Sequence, residues 1–313
     1  MTAKAKRDST ARARELGAEL RRIRQRSGLS GHDLARTLGW SPSKVSRMES
    51  GQRGASEVDV AVYLVSCGLV VRSELNRLVT LAREADSRYW LRPHSRELPE
   101  ELRSLILQEG TANAITSYDP LIVPGLLQTE QYIRELFRWG SNRPPEDIEL
   151  RVDARLARQH VLKRARSPWC KFFLHERALR AVVGGPEVMH EQLVSLLLVD
   201  SWPRCSIRVV PDAAGPYGIV GGAFKVMGYA EHPPVTYVDS WAAGLFLEEP
   251  EDVAMYREIL ARLDRDALDA GQSREWLAWL ASEYDQMEAG RHDHPRARRA
   301  DLAQEQPQQR QQR

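Results

Sequence analysis

The sequence predicts a mostly α N-terminal helix-turn-helix bundle followed by a larger α/β or α+β C-terminal domain. Three observations predict it. Residues 11–72 carry apolar positions at helical spacing, punctuated by paired helix start and stop signals; basic charge is concentrated at that end; and beyond Pro99 amphipathic helices are mixed with several short β-rich runs.

Residues 1–10 form a basic arm, and Leu16, Leu20 and Ile23 then mark the inward face of an Arg-rich first helix. Ser30 is placed to cap a second helix, with Asp33 closing the capping box and Leu34, Ala35 and Leu38 facing inward. Ala35 is small where a bulky side chain would hold the helices apart, so the next helix can cross steeply. Gly39 ends the second helix, because a left-handed residue costs Gly nothing and others about 1 kcal/mol or more. Ser41 followed by Pro42 is a strong start signal for the third. Val45 and Met48 point inward there, Ser43, Lys44, Ser46 and Arg47 point outward, and Gly51 closes the helix. An apolar helix over Glu57–Cys67 completes a compact bundle of four or five helices.

Charge points the same way. The formal net charge is only +2, yet residues 1–55 carry 13 Lys or Arg against 5 acids, an excess of eight that leaves the rest at −6. A positive head on a mildly acidic body suits a phosphate-binding module joined to a domain with other work. Only 6 of the 45 basic residues are Lys, a bias associated with a high-GC genome. Phosphate contacts position a protein, while base-edge contacts give it sequence preference. Lys44 and Arg47 suit guanine O6 and N7 and Ser43 several base edges, each good contact being worth about 1–3 kcal/mol. Pro42 presents a bare ring to a thymine methyl. Ser30, His32, Ser41, Ser46, Gln52 and Arg53 are the expected phosphate contacts near the helix ends. On Leu34-Ala35, Gly39, Val45, Ser46 and Glu49-x-Gly51, residues 11–70 resemble the Xre, or lambda-repressor-like, DNA-binding domain. Gly31 departs from that pattern, since the family often carries a backbone-contacting glutamine there, and one phosphate contact is expected to be missing.

A connecting helix is expected over Ser73–Tyr89, with Leu75, Leu78, Val79 and Ala82 on one side, and Pro93 and Pro99 bracket a polar linker; residues 73–99 thus join the bundle to a second domain over 100–290. Two prolines and a glycine forbid regular helix through the apolar stretch Pro120–Thr129. Its Pro124, Gly125, Leu126, Leu127, Gln128 and Thr129 form either a partner- or ligand-binding edge or a buried crossing. Helices follow over Glu130–Trp139 and Pro145–Arg164. On the latter, Arg155, Arg158 and Gln159 pair either with an acidic partner or internally with Glu130 and Glu176. Strands are expected over Cys170–Leu174, Ser206–Val210, Ala223–Gly228, Val235–Asp239 and Leu245–Glu248, with helices over Pro186–Val199, Pro250–Leu263 and Ser273–Met287. The Gln- and Arg-rich tail, 291–313, has a disordered composition.

Several classes are excluded. No run of 18 apolar residues exists and no hydrophobic segment follows the Arg-rich start, so neither a membrane span nor a secretory leader is expected and the protein is read as cytoplasmic. Cys67, Cys170 and Cys205 lack metal or disulfide spacing and read as thiols in a reducing compartment. His175-Glu176 lacks the second histidine of a metalloprotease helix, Gly218-x-x-Gly221-Gly222 lacks the spacing and lysine of a phosphate loop, and no Gly-x-Ser-x-Gly elbow occurs. Asp200-Ser201 and His190-Glu191 are chance neighbours, and His292 and His294 fall in the tail. No enzyme, metal or cofactor is expected.

The second domain extends the resemblance to nearly the whole chain. Pro124 to Thr129 with Tyr132, Arg155-x-x-Arg158-Gln159, Glu176-x-Ala178-Leu179-Arg180 with Gly184-Gly185, Gln192-Leu193, Val209-Val210-Pro211 and Gly222-x-Phe224 occur in the order found in large actinobacterial, WhiJ-like regulators. These pair an Xre-type reader with an antitoxin-like domain. The resemblance implies transcriptional control, often beside a gene for a small partner protein, and no known ligand. The chain is thus expected to bind a double-stranded DNA operator as a homodimer, because one short helix reads too few base pairs. The second domain would hold the dimer and receive a signal; the alternatives are an antitoxin that neutralises a small partner toxin and a small-molecule-sensing repressor.

Overall fold

The computed structural model describes residues 9–52, 55–69, 71–83, 89–93, 100–140, 145–215, 222–240 and 243–293; most of the expected basic arm, Arg53, and the tail from His294 on lie outside them. Five helices form the N-terminal bundle: α1 (Ala11–Arg26), α2 (Gly31–Leu38), α3 (Pro42–Glu49), α4 (Glu57–Ser66) and α5 (Arg72–Arg83). Their periodic apolar positions meet in one core, where Leu16, Leu20 and Ile23 pack with Leu34, Ala35, Val45, Met48, Tyr63 and Leu64. Each fully buried side chain of this size contributes roughly 1.5–3 kcal/mol. Leu78, Leu81 and Ala82 of α5 join the same core, so the expected connecting helix is part of the bundle.

That helix does not reach Tyr89. Tyr89–Pro93 is strand β1, which pairs antiparallel with the last strand of the second domain, so the sheet starts inside the segment expected to be a linker. The Tyr-Trp-Leu run favours an extended edge, and Pro93 closes it where a missing N–H is tolerated. After it come α6 (Glu100–Thr111), β2 (Ala114–Asp119), α7 (Glu130–Gly140), α8 (Pro145–Lys163), β3 (Trp169–His175), α9 (Glu176–Arg180), α10 (Pro186–Asp200) and β4 (Cys205–Val210). The chain continues as β5 (Phe224–Gly228), β6 (Val235–Asp239), β7 (Ala243–Leu247), α11 (Pro250–Asp266) and α12 (Ala270–Asp293). The five expected strands are all present, with ends shifted by a residue or two. α12 extends to Asp293, past the expected start of the tail.

The seven strands form one mixed sheet in the order β1-β7-β6-β5-β2-β3-β4. β2, β3 and β4 are parallel and are joined through helices, as parallel neighbours require; β5, β6 and β7 form an antiparallel meander that returns beside β2. Alternation along β3 serves two cores: Phe172 and Leu174 face the cluster that holds Leu193 and Leu196 of α10 and Leu277 and Leu280 of α12, and Phe173 faces the cluster of Val253 and Leu263 on α11. Helices on both faces explain the near-continuous apolar run of β3. The register also places Cys170 opposite Cys205, so two thiols with no spacing signal are neighbours in the sheet, and both are unbridged.

The two domains meet at the start of α1. Ala11 is fully buried in the second domain's core, and its N–H donates to both carboxylate oxygens of Glu248 at 2.9 and 2.7 Å. A carboxylate at a helix N-terminus meets an unsatisfied N–H and the positive end of the helix dipole. Ser104 Oγ on α6 donates to Glu15 Oε1 at 2.8 Å, and the Arg14 guanidinium lies 5.4 Å over the Tyr229 ring.

Candidate nucleic-acid interface

Local chemistry builds the turn between α2 and α3. Ser30 Oγ accepts from the Asp33 N–H at 3.1 Å, and its hydroxyl donates back to Asp33 Oδ2 at 2.5 Å. The reciprocal contact of the expected capping box thus runs to the hydroxyl, and the Ser30 backbone N–H also stabilises the Asp33 carboxylate. Gly39 sits in the left-handed region at φ 64°, which lets the Trp40 N–H reach the Ala35 carbonyl at 2.8 Å and reverses the chain. Ser41 Oγ then accepts from the Lys44 N–H at 3.2 Å, with Pro42 in the first helical position of α3.

The face of α3 is set by what lies behind it. Val45 and Met48 are buried, while Pro42, Ser43, Ser46 and Arg47 are exposed on the other side. Ser30, His32, Ser41 and Gln52 are exposed around the helix ends, and Arg53 lies outside the described residues. Lys44 departs from the expectation of an outward base contact. Its ammonium turns back toward α4, where Asp59 Oδ1 accepts at 2.7 Å and the Trp40 ring centroid lies 3.6 Å away. The alternating Ser-Lys-Val-Ser-Arg pattern could not reveal that acid on the next helix.

Between the starts of α2 and α3 opens a hollow of about 520 Å³, lined by His32, Pro42, Ser43 and Ser46 and also by Arg21 and Arg24 of α1. Arg21 is exposed there and is missing from the sequence-derived site; its only sign was its spacing of three from Arg24. Arg24 serves structure. Its Nε and Nη2 donate to Glu49 Oε1 and Oε2 at 2.6 and 2.8 Å, and its Nη1 to the Leu29 carbonyl at 2.8 Å. The Tyr63 hydroxyl donates to the same Glu49 Oε1 at 2.6 Å. Burial by itself would raise the Glu49 carboxyl, but the bonds from Arg24 and Tyr63 outweigh it and hold it below its ordinary range. One carboxylate thus ties α3 to α1 and α4.

Backbone contact completes the brace. A Cβ on Gly17 would lie 2.6 Å from the Glu49 carbonyl oxygen, and one on Gly51 2.7 Å from the Arg14 nitrogen, so both glycines are required where α1 meets the end of α3. The basic excess is divided accordingly. Arg12 is 3 % exposed and Arg14 half-buried against the second domain, which removes them from the outward-facing charge.

The expected partner edge of the second domain is an internal crossing. Pro124, Leu126, Leu127 and Gln128 are buried, and Gly125 and Thr129 partly so. Gln128 Nε2 donates to the Val123 carbonyl at 2.6 Å, Gln192 Nε2 to the Leu127 carbonyl at 2.8 Å, and the Thr129 N–H to Gln192 Oε1 at 2.8 Å. Arg155 donates to Gln128 Oε1 at 2.8 Å, and Gln159 to the carbonyls of Gly125 and Gln128 at 3.0 and 2.8 Å. Arg158 lies 3.2 Å from Glu109, an acid 0 % exposed that also takes Lys225 at 2.6 Å. A Cβ on Gly125 would displace the Arg158 guanidinium. The stripe therefore pairs inward, but with Glu109 and Gln128; Glu130 is held by Arg134 and Glu176 by Arg180. Loop and stripe interlock because backbone carbonyls buried in a non-helical crossing need side-chain donors.

Among the described residues no helix is long and apolar enough to cross a membrane, and no group of three His, Cys, Asp or Glu is placed to hold a metal ion. Comparison with known families gives two matches: a helix-turn-helix domain over residues 15–78, and a domain of unknown function, DUF5753, over residues 102–278. No curated protein and no solved structure matches the chain.

Proposed function

Since this chain belongs to the DUF5753 family and carries a helix-turn-helix domain ahead of it, we propose that it is a sequence-specific transcriptional regulator whose second domain receives a signal. The observation that carries the reading is the face of α3, where Pro42, Ser43, Ser46 and Arg47 stand exposed on a helix braced from behind by Glu49, Arg24 and Tyr63. Such a helix fits the major groove with its N-terminal half toward the bases. In this reading Ser43 and Arg47 carry sequence preference and Pro42 meets a thymine methyl. Ser30, His32, Ser41, Ser46, Gln52 and Arg53, joined by Arg21, hold phosphates. Lys44 reaches a base only by leaving Asp59.

The regulator acts as a homodimer, because an eight-residue reading helix spans too few base pairs for useful discrimination. Val58, Val62 and Val65, exposed by 71, 43 and 62 % along one side of α4, give an apolar stripe suited to a contact between copies. The resemblance to Xre-type, WhiJ-like regulators supports a small partner protein as the source of the signal, with toxin neutralisation as the alternative; the inward packing of Pro124 to Thr129 favours a seat for the partner elsewhere on the second domain. The test is operator binding by the intact protein and its Arg47→Ala and Ser43→Ala variants. Arg47→Ala is expected to cost about 1–3 kcal/mol of discrimination at one base step while nonspecific affinity changes little. Unchanged discrimination in both variants would remove α3 as the reading helix.

A further inference from the structure

Where α1 crosses onto the second domain, a cleft of about 280 Å³ lies between them, lined from α1 by Arg14 and from the other side by Gln108, Asn113, Tyr229, His232 and the carboxylate of Glu231. We propose that this cleft is the effector site of the regulator and binds a small oxyanion, the carboxylate or phosphate group of a metabolite of a few heavy atoms. The proposal rests on the regulator reading above for its meaning, though not for its chemistry.

The walls carry one guanidinium, Arg14, and one carboxylate, Glu231, together with two amides, while the Thr111 and Tyr229 hydroxyls donate to Leu107 and Gln108. Arg14 Nη1 donates to the Ser9 carbonyl at 2.5 Å, but its Nη2 is buried without a hydrogen-bond partner. A buried donor left unmet costs about 1–3 kcal/mol, more for a charged group, and an oxyanion is the acceptor that meets a guanidinium best. The two amides have their oxygens committed: Gln108 Oε1 accepts from the Tyr229 hydroxyl at 2.7 Å, and Asn113 Oδ1 accepts from the Ala230 N–H at 2.9 Å. The NH2 group is the remaining function of each. Both oxygens of the neighbouring carboxylate, Glu248, are engaged by the Ala11 N–H. The Arg14 guanidinium is lowered from its ordinary range by burial, against the pull of Glu248 and Tyr229, as befits a cation short of compensation. The volume is at the lower limit of ligand pockets, which admits a small molecule and no peptide.

Position makes the cleft regulatory. The backbone of Arg14 abuts Gly51, just after α3, and Ser9, whose carbonyl holds Arg14 Nη1, donates its hydroxyl to the Gly51 carbonyl at 2.6 Å. A ligand that engages Arg14 therefore acts on the segment against which the reading helix ends. It shifts DNA affinity to the extent that it binds one docking of α1 better than another.

The full-length protein, titrated separately with sodium phosphate and sodium succinate at constant ionic strength, tests this by calorimetry together with NMR of the Arg14 and Tyr229 side chains. The expected result is saturable one-to-one binding of at least one probe, with shifts at both residues and at least tenfold weakening in Arg14→Gln and His232→Ala; which probe binds separates phosphate from carboxylate. No saturable binding of either probe to the unaltered protein overturns the proposal, as does binding that survives unchanged in both variants. Operator binding is measured in parallel, so a chain that takes the oxyanion but no DNA keeps the site and loses the regulator reading.

Discussion

Glu49 concentrates the stability of the reading unit in one side chain. Its carboxylate takes Arg24 from α1 and Tyr63 from α4 while its backbone ends α3, and its side chain is only 9 % exposed. Removing one partner of such a buried pair costs about 3 kcal/mol, so Glu49→Gln is expected to lower the unfolding free energy by that order in denaturant titrations. The pH dependence follows from the sign of the shift. The folded-state pKa lies below the ordinary 4.5, so the contribution is complete above 4.5 and is lost as pH falls through the folded value. The Gln variant should lack that acid limb, and an identical acid limb in both proteins would contradict the role given to the carboxylate. Glu49 was visible in the sequence as part of Glu49-x-Gly51, but its work was not, because Arg24 and Tyr63 reach it from other helices. Lys44 teaches the same lesson in reverse: its place on the outward pattern of α3 was legible, whereas Asp59, which draws it back, was not.

Elements were legible where their causes are local. Ser30, Gly39 and the Ser41-Pro42 pair act through their own backbone within a few residues, and the turn between α2 and α3 is built as they dictate. β1 and β2 carry only weak local propensity, and each is a strand because β7, or β3 and β5, pair with it. Gly17 belongs with these silent features. It lies inside α1, where glycine is unfavourable by about 1 kcal/mol relative to alanine, and only the approach of α3 explains it. Gly17→Ala should therefore destabilise despite better helix propensity, by about 1–3 kcal/mol, because the neighbour it meets at 2.6 Å is backbone and cannot swing aside. A variant that melts higher than the parent would refute this tight crossing.

At the scale of the molecule, reader and second domain share a helix. α1 buries Leu16 and Leu20 in one core and Ala11 in the other, and the bond from Ala11 to Glu248 spans 237 positions. Such a contact has no sequence signature, and neither has the inward turn of Arg155, Arg158 and Gln159, which depends on the crossing they support. The two-part architecture and the outward face of α3 were legible; the joint between the parts was not. The central claim is that α3 lies in the major groove of a defined DNA site, and interference by guanine N7 methylation on a site selected from random DNA by the intact protein tests it most directly. The account predicts interference at guanines in two half-sites about one helical turn (~34 Å) apart, weakened at one position in each by Arg47→Ala. Binding that no N7 methylation disturbs would contradict it.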